Sequence, residues 1–456
     1  MPRGLDRWEV LDDFLLDAYF KSLGTSLTVA YNMGDMTLTS LTGARRLSSV
    51  LPYDFSGGPI GGVDYPGELM DMHVDQSILS QEFRLNGKSF ANKLNWLTGV
   101  YIFQDDDDIR RRLTLPFLPA FGTSYDAYRQ DQYLTTRGFA LFGDGTYDLT
   151  DRLSLDIGLR YGNEKVKSNF FEDAVLTGLL TIDSGATQSI STNYVTPSAS
   201  LLYHFTADST VYGRYAQGVR AAGFPIAPTP STDIAYKPEH TDNYEIGFKG
   251  RVLDGFLGYD LAAYYIAIRD QQVTSVAYLN GNLSLPVATI TNAGQSLSKG
   301  LEANFDVRPS DALAFTGNLG YTEARYETYI DADNVNRAGE SLPFVPRFTA
   351  ATTGAYTFNV VGRPLTLTGE YQHVSSILSG SGVGPDLQFQ VAGYNLANAR
   401  ASLALTDHLK IDLFCKNLFD KYIETKVFNS FFFIAPRPFS TVLPPRNEGI
   451  RISYSF

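Results

Sequence analysis

Long stretches of this chain alternate apolar and polar residues with a strict period of two. Leu153, Leu155, Ile157, Leu159 and Tyr161 are separated by Ser154, Asp156, Gly158 and Arg160. Leu409, Ile411, Leu413 and Cys415 repeat the pattern against Lys410, Asp412, Phe414 and Lys416. Leu365, Leu367, Gly369 and Tyr371 do so against Thr366, Thr368, Glu370 and Gln372, and Ile450, Ile452, Tyr454 and Phe456 close the chain in the same way. Side chains alternate across a strand, so each segment predicts a strand with two chemically different faces. The segments often run to about ten residues, whereas strands of soluble domains average about five or six. No helical period separates them.

The connections fall into two kinds. Short turns are expected at Asn32–Asp35, Asn86–Lys93, Leu149–Arg152, Thr206–Ser209, Leu253–Gly255, Pro309–Ala312, Val360–Arg363 and Thr406–His408. Most carry Gly, Asp, Asn or Pro, the residues that turn geometry favours. Between them lie mostly long, polar or Pro/Gly-rich segments at 47–74, 106–131, 168–190, 220–238, 278–285, 328–346, 379–390 and 423–446, of which only the one near Asn280–Asn282 is short. Short turns alternating with long loops are the pattern of an outer-membrane barrel, tight on the periplasmic side and extended outside the cell. Counted this way, about 17 antiparallel strands run from near residue 25 to Phe456, an all-β transmembrane barrel. Residues 1–24 are read as a partial extracellular segment and 25–456 as the barrel.

A membrane explains the two faces. Every backbone amide in hydrocarbon needs a partner, which a closed barrel supplies and an open sheet does not. Leu, Ile, Val, Phe and Tyr on one face would meet lipid, and Ser, Thr, Asn, Arg, Glu and Gly on the other would line a wet lumen. Tyr264, Tyr265, Tyr321 and Tyr394 are expected in the interfacial aromatic girdles. A soluble propeller or β-helix would match neither the strand length nor the alternating connections.

Composition narrows the reading. The chain has 28 Tyr, 30 Phe and 40 Gly among 456 residues, which favours strands and tight turns. Mean hydropathy is −0.12, and no apolar run reaches the roughly 18–20 residues of a spanning helix. The single cysteine, Cys415, excludes an internal disulfide. A net charge of −12 argues against a nucleic-acid partner, which would select a basic surface. Met1–Gly24 is interrupted by Asp and Glu and does not read as a signal peptide.

Four motifs occur in one order: Ser80–Leu85 (SQEFRL) followed by Leu94–Phe103 (LNWLTGVYIF), Tyr236–Lys249 (YKPEHTDNYEIGFK), Asn292–Glu302 (NAGQSLSKGLE), and Lys416–Tyr422 (KNLFDKY), with a terminal Phe456. In this order they resemble the barrel of TonB-dependent outer-membrane receptors, over about residues 25–456. The resemblance implies import of a scarce nutrient across the bacterial outer membrane, most commonly a ferric siderophore or another small-molecule metal chelate. It also implies outer-membrane lipid around the barrel, the TonB complex as partner of a whole receptor, and a terminal aromatic, Phe456, read by the barrel-assembly machinery. Family members carry a signal peptide, a TonB box, a plug domain and 22 strands. The first three are not found here, and about five strands fewer are counted, so Met1 reads as an internal start or the chain as a fragment. The expected seam then lies between residues 25–31 and 450–456. Passive porin-like conduction, a non-functional receptor fragment and a soluble β-rich binding module are the alternatives.

No catalytic constellation and no cofactor signature stand out. His73, His204, His240, His373 and His408 show no metal-ligand spacing. Asp105–Asp108, followed by Arg110–Arg112, could present oxygens to a cation but lacks the Gly and distal Glu of a calcium loop, so it reads as a solvated strand end. Gly218–Pro230 reads as a stiff extracellular loop. In the family the loops and plug apex grip the substrate, and Tyr125, Arg129, Arg220 and Arg337 are the candidate ligand contacts, because Arg and Tyr suit anionic, aromatic chelates.

Overall fold

The computed structural model describes residues 17–54, 69–115, 125–176, 180–225, 235–278, 286–331, 334–379, 389–429 and 438–455. Phe456 lies outside them. Among the described residues, seventeen strands form one antiparallel sheet in chain order. They are β1 (Tyr19–Met33), β2 (Met36–Asp54), β3 (Leu69–Ser89), β4 (Leu94–Leu115), β5 (Tyr125–Asp148), β6 (Leu153–Leu176), β7 (Leu180–Thr206), β8 (Ser209–Arg220), β9 (Glu239–Val252) and β10 (Leu257–Arg269), then β13 (Gln295–Ser310), β14 (Leu313–Thr328), β15 (Phe348–Val360), β16 (Arg363–Val374), β19 (Tyr394–Ala404), β20 (Leu409–Lys416) and β23 (Asn447–Tyr454). Three small ribbons rise from the loops: β11 (Gln272–Tyr278) with β12 (Pro286–Asn292), β17 (Ile377–Ser379) with β18 (Phe389–Val391), and β21 (Glu424–Asn429) with β22 (Pro438–Val442). The first strand starts at Tyr19, six residues before the expected position near Thr25.

All eight short turns fall where the sequence puts them, one end of the sheet carrying every one. Several need a left-handed backbone: Gly34 (φ 67°), Gly255 (φ 88°) and Gly362 (φ 74°) supply it without a Cβ. The expected turn at Asn86–Lys93 is shorter, because β3 continues to Ser89.

Register confirms the two faces. On β6 the odd residues Ile157, Leu159 and Tyr161 are 54%, 55% and 38% exposed, while Ser154, Gly158 and Gly162 between them are buried. Their ladder partners continue the outward row: Leu141 faces Tyr161, and Val195 faces Tyr161 from the other side. The row runs on around the sheet through Ile246, Leu261, Leu301, Leu319, Leu367, Leu413 and Ile450, all exposed large apolar residues. Such a belt covers about nine to eleven residues per strand, the hydrocarbon thickness of an outer membrane. Aromatics edge it: Tyr244 and Tyr265 are ladder neighbours, and so are Tyr321 and Phe348. Tyr265 and Tyr321 therefore stand in the girdle as expected. Tyr264 does not. It is one residue out of phase, faces inward and bonds Thr322 Oγ1 at 2.7 Å. Tyr394 also takes the inward phase of β19, opposite Val374.

Above the belt the strands of one wall continue where loops were expected. β4 to β7 are 22, 24, 24 and 27 residues long. Segments 106–131 and 168–190 are thus largely strand. The outward face leaves the lipid there, while Val166, Ser168 and Phe170 on the inward face of β6 are buried, so the lipid-facing alternation stops while the backbone ladder goes on.

The inward face has its own regularity. Six times an aromatic ring lies over a glycine directly opposite on the next strand: Phe142 on Gly99, Phe103 on Gly138, Tyr194 on Gly162, Tyr212 on Gly247, Tyr264 on Gly300 and Phe414 on Gly449. A Cβ at any of these glycines would overlap the ring. The rings therefore lie flat against the wall and leave the lumen open.

The sheet has two free edges. Among the described residues β1 pairs only with β2, and β23 only with β20. Every residue of β1 is exposed, and so are all but one of β23. No ladder joins residues 25–31 to 450–456 among the described residues.

Candidate functional site

The lumen wall is polar and internally bonded. Tyr194 donates to Glu164 Oε1 at 2.8 Å and Tyr212 to Glu245 Oε1 at 2.8 Å. Arg160 lies over the rings of Tyr101 and Phe142. These groups present oxygens, guanidinium and ring faces to a wet bore.

On the extracellular side, the loop after β8 folds back into this bore. Its residues Ala221–Pro225 pack on the inward faces of β5, β6 and β7. Ala222 N donates to Thr192 Oγ1 at 3.1 Å, and Gln132 Nε2 donates to the Pro225 carbonyl at 3.1 Å and to Ser168 Oγ at 3.3 Å. Phe224 is buried against Val166, flanked by Leu134, Ile190 and Ala235. Gly223 and Tyr236 pair backbones, so the returning strand of the loop is tied to the outgoing one.

Two of the sequence motifs meet at the base of this loop. Asn292, which opens the NAG motif, donates from Nδ2 to the carbonyls of Lys237 at 3.0 Å and Asp270 at 2.7 Å, and its Oδ1 accepts from Lys237 N at 2.8 Å. Lys237 belongs to the YKPE motif, and Glu239 of the same motif accepts from Gln272 N at 2.7 Å. Gln272 Nε2 then bonds the carbonyls of Ala221 and Lys237 at 2.9 and 3.0 Å. Gly294 must lack a Cβ because Thr328 backbone fills that space. In the KNLFDKY motif, Asn417 holds Lys421 and Pro444 through its side chain, and Asp420 accepts from Arg446 N. These three motifs are backbone clasps at strand ends.

The candidate ligand contacts are scattered. Arg220 ends β8 on its inward face, exposed at the rim beside Tyr236. Burial pushes the Tyr236 hydroxyl pKa up, and the Arg220 charge opposes that. Arg129 has the outward phase of β5 and is held by Asp131 through two nitrogens at 2.7 and 3.0 Å. Arg337 is buried in the β14–β15 loop, with Nε 2.8 Å from Asp331 Oδ2 and Nη1 3.4 Å from Glu340. It fastens a small rim core of Ala293, Ala324, Tyr326, Tyr329 and Leu342. Tyr125 lies in β5, but its side chain falls outside the described residues, as does Phe456. Of the three whose side chains are described, the structure brings only Arg220 to the folded-in loop. Sequence reading missed Gln132, Thr192 and Gln272; the signal for them was a polar residue at an inward strand position.

The acidic run divides by strand phase. Asp105 and Asp107 face inward and Asp106 and Asp108 outward. Above Ile102, the last lipid-facing residue of β4, a recess of about 640 Å³ is lined by Asp107 with Arg46, Asp75, Gln76 and Tyr133. Burial, then Asp105, pushes the Asp107 carboxyl up to about 6, with Gln76 opposing. Among the described residues no group of three His, Cys, Asp or Glu is placed to hold a metal ion.

Comparison with known proteins places this architecture. The family model described as TonB dependent receptor-like, beta-barrel, matches residues 4–418. The chain belongs to the TonB-dependent receptor β-barrel family. This receptor barrel is 25% identical over 353 residues to the pesticin receptor of Yersinia pestis, covering 76% of this chain and 47% of that protein. It is 24% identical over 268 residues to the metal-pseudopaline receptor CntO of Pseudomonas aeruginosa, covering 57% and 33%. The fold matches the ferric yersiniabactin uptake receptor FyuA of Yersinia pestis with a TM-score of 0.79 and 20% identity, covering 98% of this chain and 63% of that one. The siderophore receptor PiuA of Acinetobacter baumannii matches with a TM-score of 0.75 and 16% identity over 96% and 64%. The receptor barrel thus spans about half the length of the curated relatives it matches first. Its place is the outer membrane, where the exposed belt meets lipid.

Proposed function

We propose that this chain forms the greater part of the transmembrane wall of a receptor that imports a metal chelate, most specifically a ferric siderophore, in partnership with TonB. The observation that carries the reading is the β8–β9 loop folded into a polar bore and clasped by the family's own motifs. A loop in that place meets whatever enters from outside. Relatives named for metal-pseudopaline, ferric-pyoverdine and ferrioxamine support a chelate as cargo. Arg220 at the rim offers a cation to an anionic chelate. In this reading, strands outside residues 19–454 occupy the gap between β1 and β23.

Passive conduction is less well supported, since a self-contained pore needs a closed ladder and the described sheet has two free edges. The test is uptake of radio-iron by the producing bacterium with the gene deleted and restored. Chelate uptake that falls on deletion, returns on restoration and stops when the proton gradient is dissipated is expected. Unchanged chelate uptake together with reduced, gradient-independent entry of small sugars would establish the porin-like reading instead.

A further inference from the structure

The inner wall carries one uncovered glycine. Among the described residues, every inward glycine of the sheet but one is covered by the side chain of the residue directly opposite on an adjoining strand. Rings cover six of them, and Ser80, Ser198, Thr241, Asp306 and Thr349 cover Gly43, Gly158, Gly218, Gly258 and Gly320. The exception is Gly24 of β1, where an added Cβ would meet only the Ala44 carbonyl oxygen, at 3.9 Å. Its phase is inward, because Leu23, Leu27 and Val29 form the outward row of β1. Glycine inside a strand is unfavourable in itself, and its usual reason is the close approach of a neighbour. Gly24 has the glycine without the neighbour.

One side of Gly24 does not supply the cover, and the other side is the free edge. Its ladder partner on β2 is Arg45, whose Nε donates to Ser22 Oγ at 3.2 Å, and no Arg45 atom comes within 4 Å of a Cβ placed on Gly24. The inward residues of β2 from Thr37 to Leu51 include no ring. Below Gly24 the inward residues of β1 are Ser26, Thr28 and Ala30, so the inner face of the edge strand is a shallow trough. Height favours a ring as the filler. Gly24 stands nine residues above Met33, as Gly162 stands nine above Leu153, while Gly138 and Gly300 stand ten above Asp148 and Ser310. Rings cover all three of those glycines. Gly218, nine above Ser209, takes Thr241 instead, but β8 ends two residues later.

We propose that the free edge of β1 docks a further antiparallel strand of the barrel wall, and that an inward Phe, Tyr or Trp of that strand lies on Gly24. The docked strand pairs with the unpaired backbone groups of β1, as hydrocarbon requires. Its outward residues are apolar beside Leu23, Leu27, Val29 and Tyr31, which are 53–76% exposed along the edge. Its ring fixes which residue stands opposite which. β23 is not that strand, because its inward residues Gly449, Arg451 and Ser453 carry no ring. The proposal rests on the reading that further strands fill the gap between β1 and β23, and it is independent of the cargo.

The receptor is tested as the producing bacterium assembles it in its outer membrane. Gly24→Ala should shift the folding equilibrium by about tenfold or more toward the unfolded state, read as a lower urea midpoint of the heat-modifiable band. With no ring at that place, the same change meets open space and leaves the midpoint unchanged or raises it, since Ala suits a strand better than Gly. In a second measurement Gly24 is kept and Ser26, the next inward residue, is replaced by photoreactive benzoylphenylalanine. Its cross-linked peptide should come from a strand with Phe, Tyr or Trp facing Gly24, and changing that residue to Ala should restore the midpoint of Gly24→Ala. An unchanged or raised midpoint overturns the proposal. So does a cross-link to β23, to no strand, or to a strand with a small residue facing Gly24. Neither readout involves chelate uptake, so failure of the cargo reading would leave both standing.

Discussion

β6 and β23 have the same apolar rhythm but not the same surroundings. On β6 the odd residues Ile157, Leu159 and Tyr161 are exposed and the even residues Ser154, Gly158 and Gly162 buried, because β5 and β7 flank it and the wall curves around its inner face. On β23, Ile450 and Ile452 are each 68% exposed, and Arg451 and Ser453 on the other face are exposed too. β1 is exposed throughout. Alternation therefore encodes which face a strand turns to lipid, but neighbours decide whether the strand is satisfied. An edge in hydrocarbon leaves a row of unpaired N–H and C=O groups, each costing several kcal/mol.

That difference predicts the largest effect. The chain expressed as these residues alone should aggregate and show no heat-modifiable mobility on gels, because both edges template association. Monodisperse, heat-modifiable protein would mean that β1 and β23 pair after all. A second prediction concerns the central strand. Ile157→Arg should destabilise the assembled barrel by about 2–4 kcal/mol in a refolding titration. A charge added at the already solvated Lys165 level, Asn163→Arg, should change stability by less than about 0.5 kcal/mol. Equal losses would mean that the belt has been placed at the wrong height.

Smaller effects separate glycines that look alike in sequence. Gly162→Ala should push the Tyr194 ring from the wall and break its bond to Glu164, costing about 1–3 kcal/mol, whereas Gly213→Ala meets open space and should cost under about 1 kcal/mol. Restoration of stability by adding Tyr194→Ala to the first variant would tie the loss to that ring. The smallest effect is on pH response. The Asp107 carboxyl is raised to about 6, so it favours the fold while protonated and loses that contribution as pH rises through about 6. Asp107→Asn should therefore raise the thermal midpoint at pH 8 and leave it unchanged near pH 3.5. The opposite order would show that Gln76 and the nearby cations outweigh burial.

The membrane-facing half of the structure was legible in the sequence. Seventeen strands, eight short turns and the odd face of β6 follow from alternation, since lipid and water impose it residue by residue. Legibility ended where the lipid ends. β4 to β7 continue upward through 106–115 and 163–176 with no apolar rhythm, because only the ladder, which any non-proline residue can join, is required there. Tyr264 was misplaced by a single residue of phase. The role of the candidate contacts is not legible in sequence, since Arg at a loop position is equally a ligand for cargo and a clasp for the loop. Arg337 is buried against Asp331, six positions away in the chain, a contact that composition does not reveal. The Gln132–Pro225 contact joins residues 93 apart in sequence.

The paired rings and glycines on the inner wall carry a consequence for assembly. A slip of one residue between two strands would turn every apolar side chain to the wrong face, and lipid itself rejects it. A slip of two residues keeps each side chain on its proper face, so the belt cannot detect it. The ring can. Displaced by two positions, Phe142 would ride onto Leu97 or Tyr101 instead of Gly99, and Tyr194 onto Arg160 or Glu164 instead of Gly162. Each such pair is a keyhole that accepts one alignment, and six of them are spread from β4 to β23. As strands are laid down one beside another, the keyholes proofread the errors to which oil and water are blind.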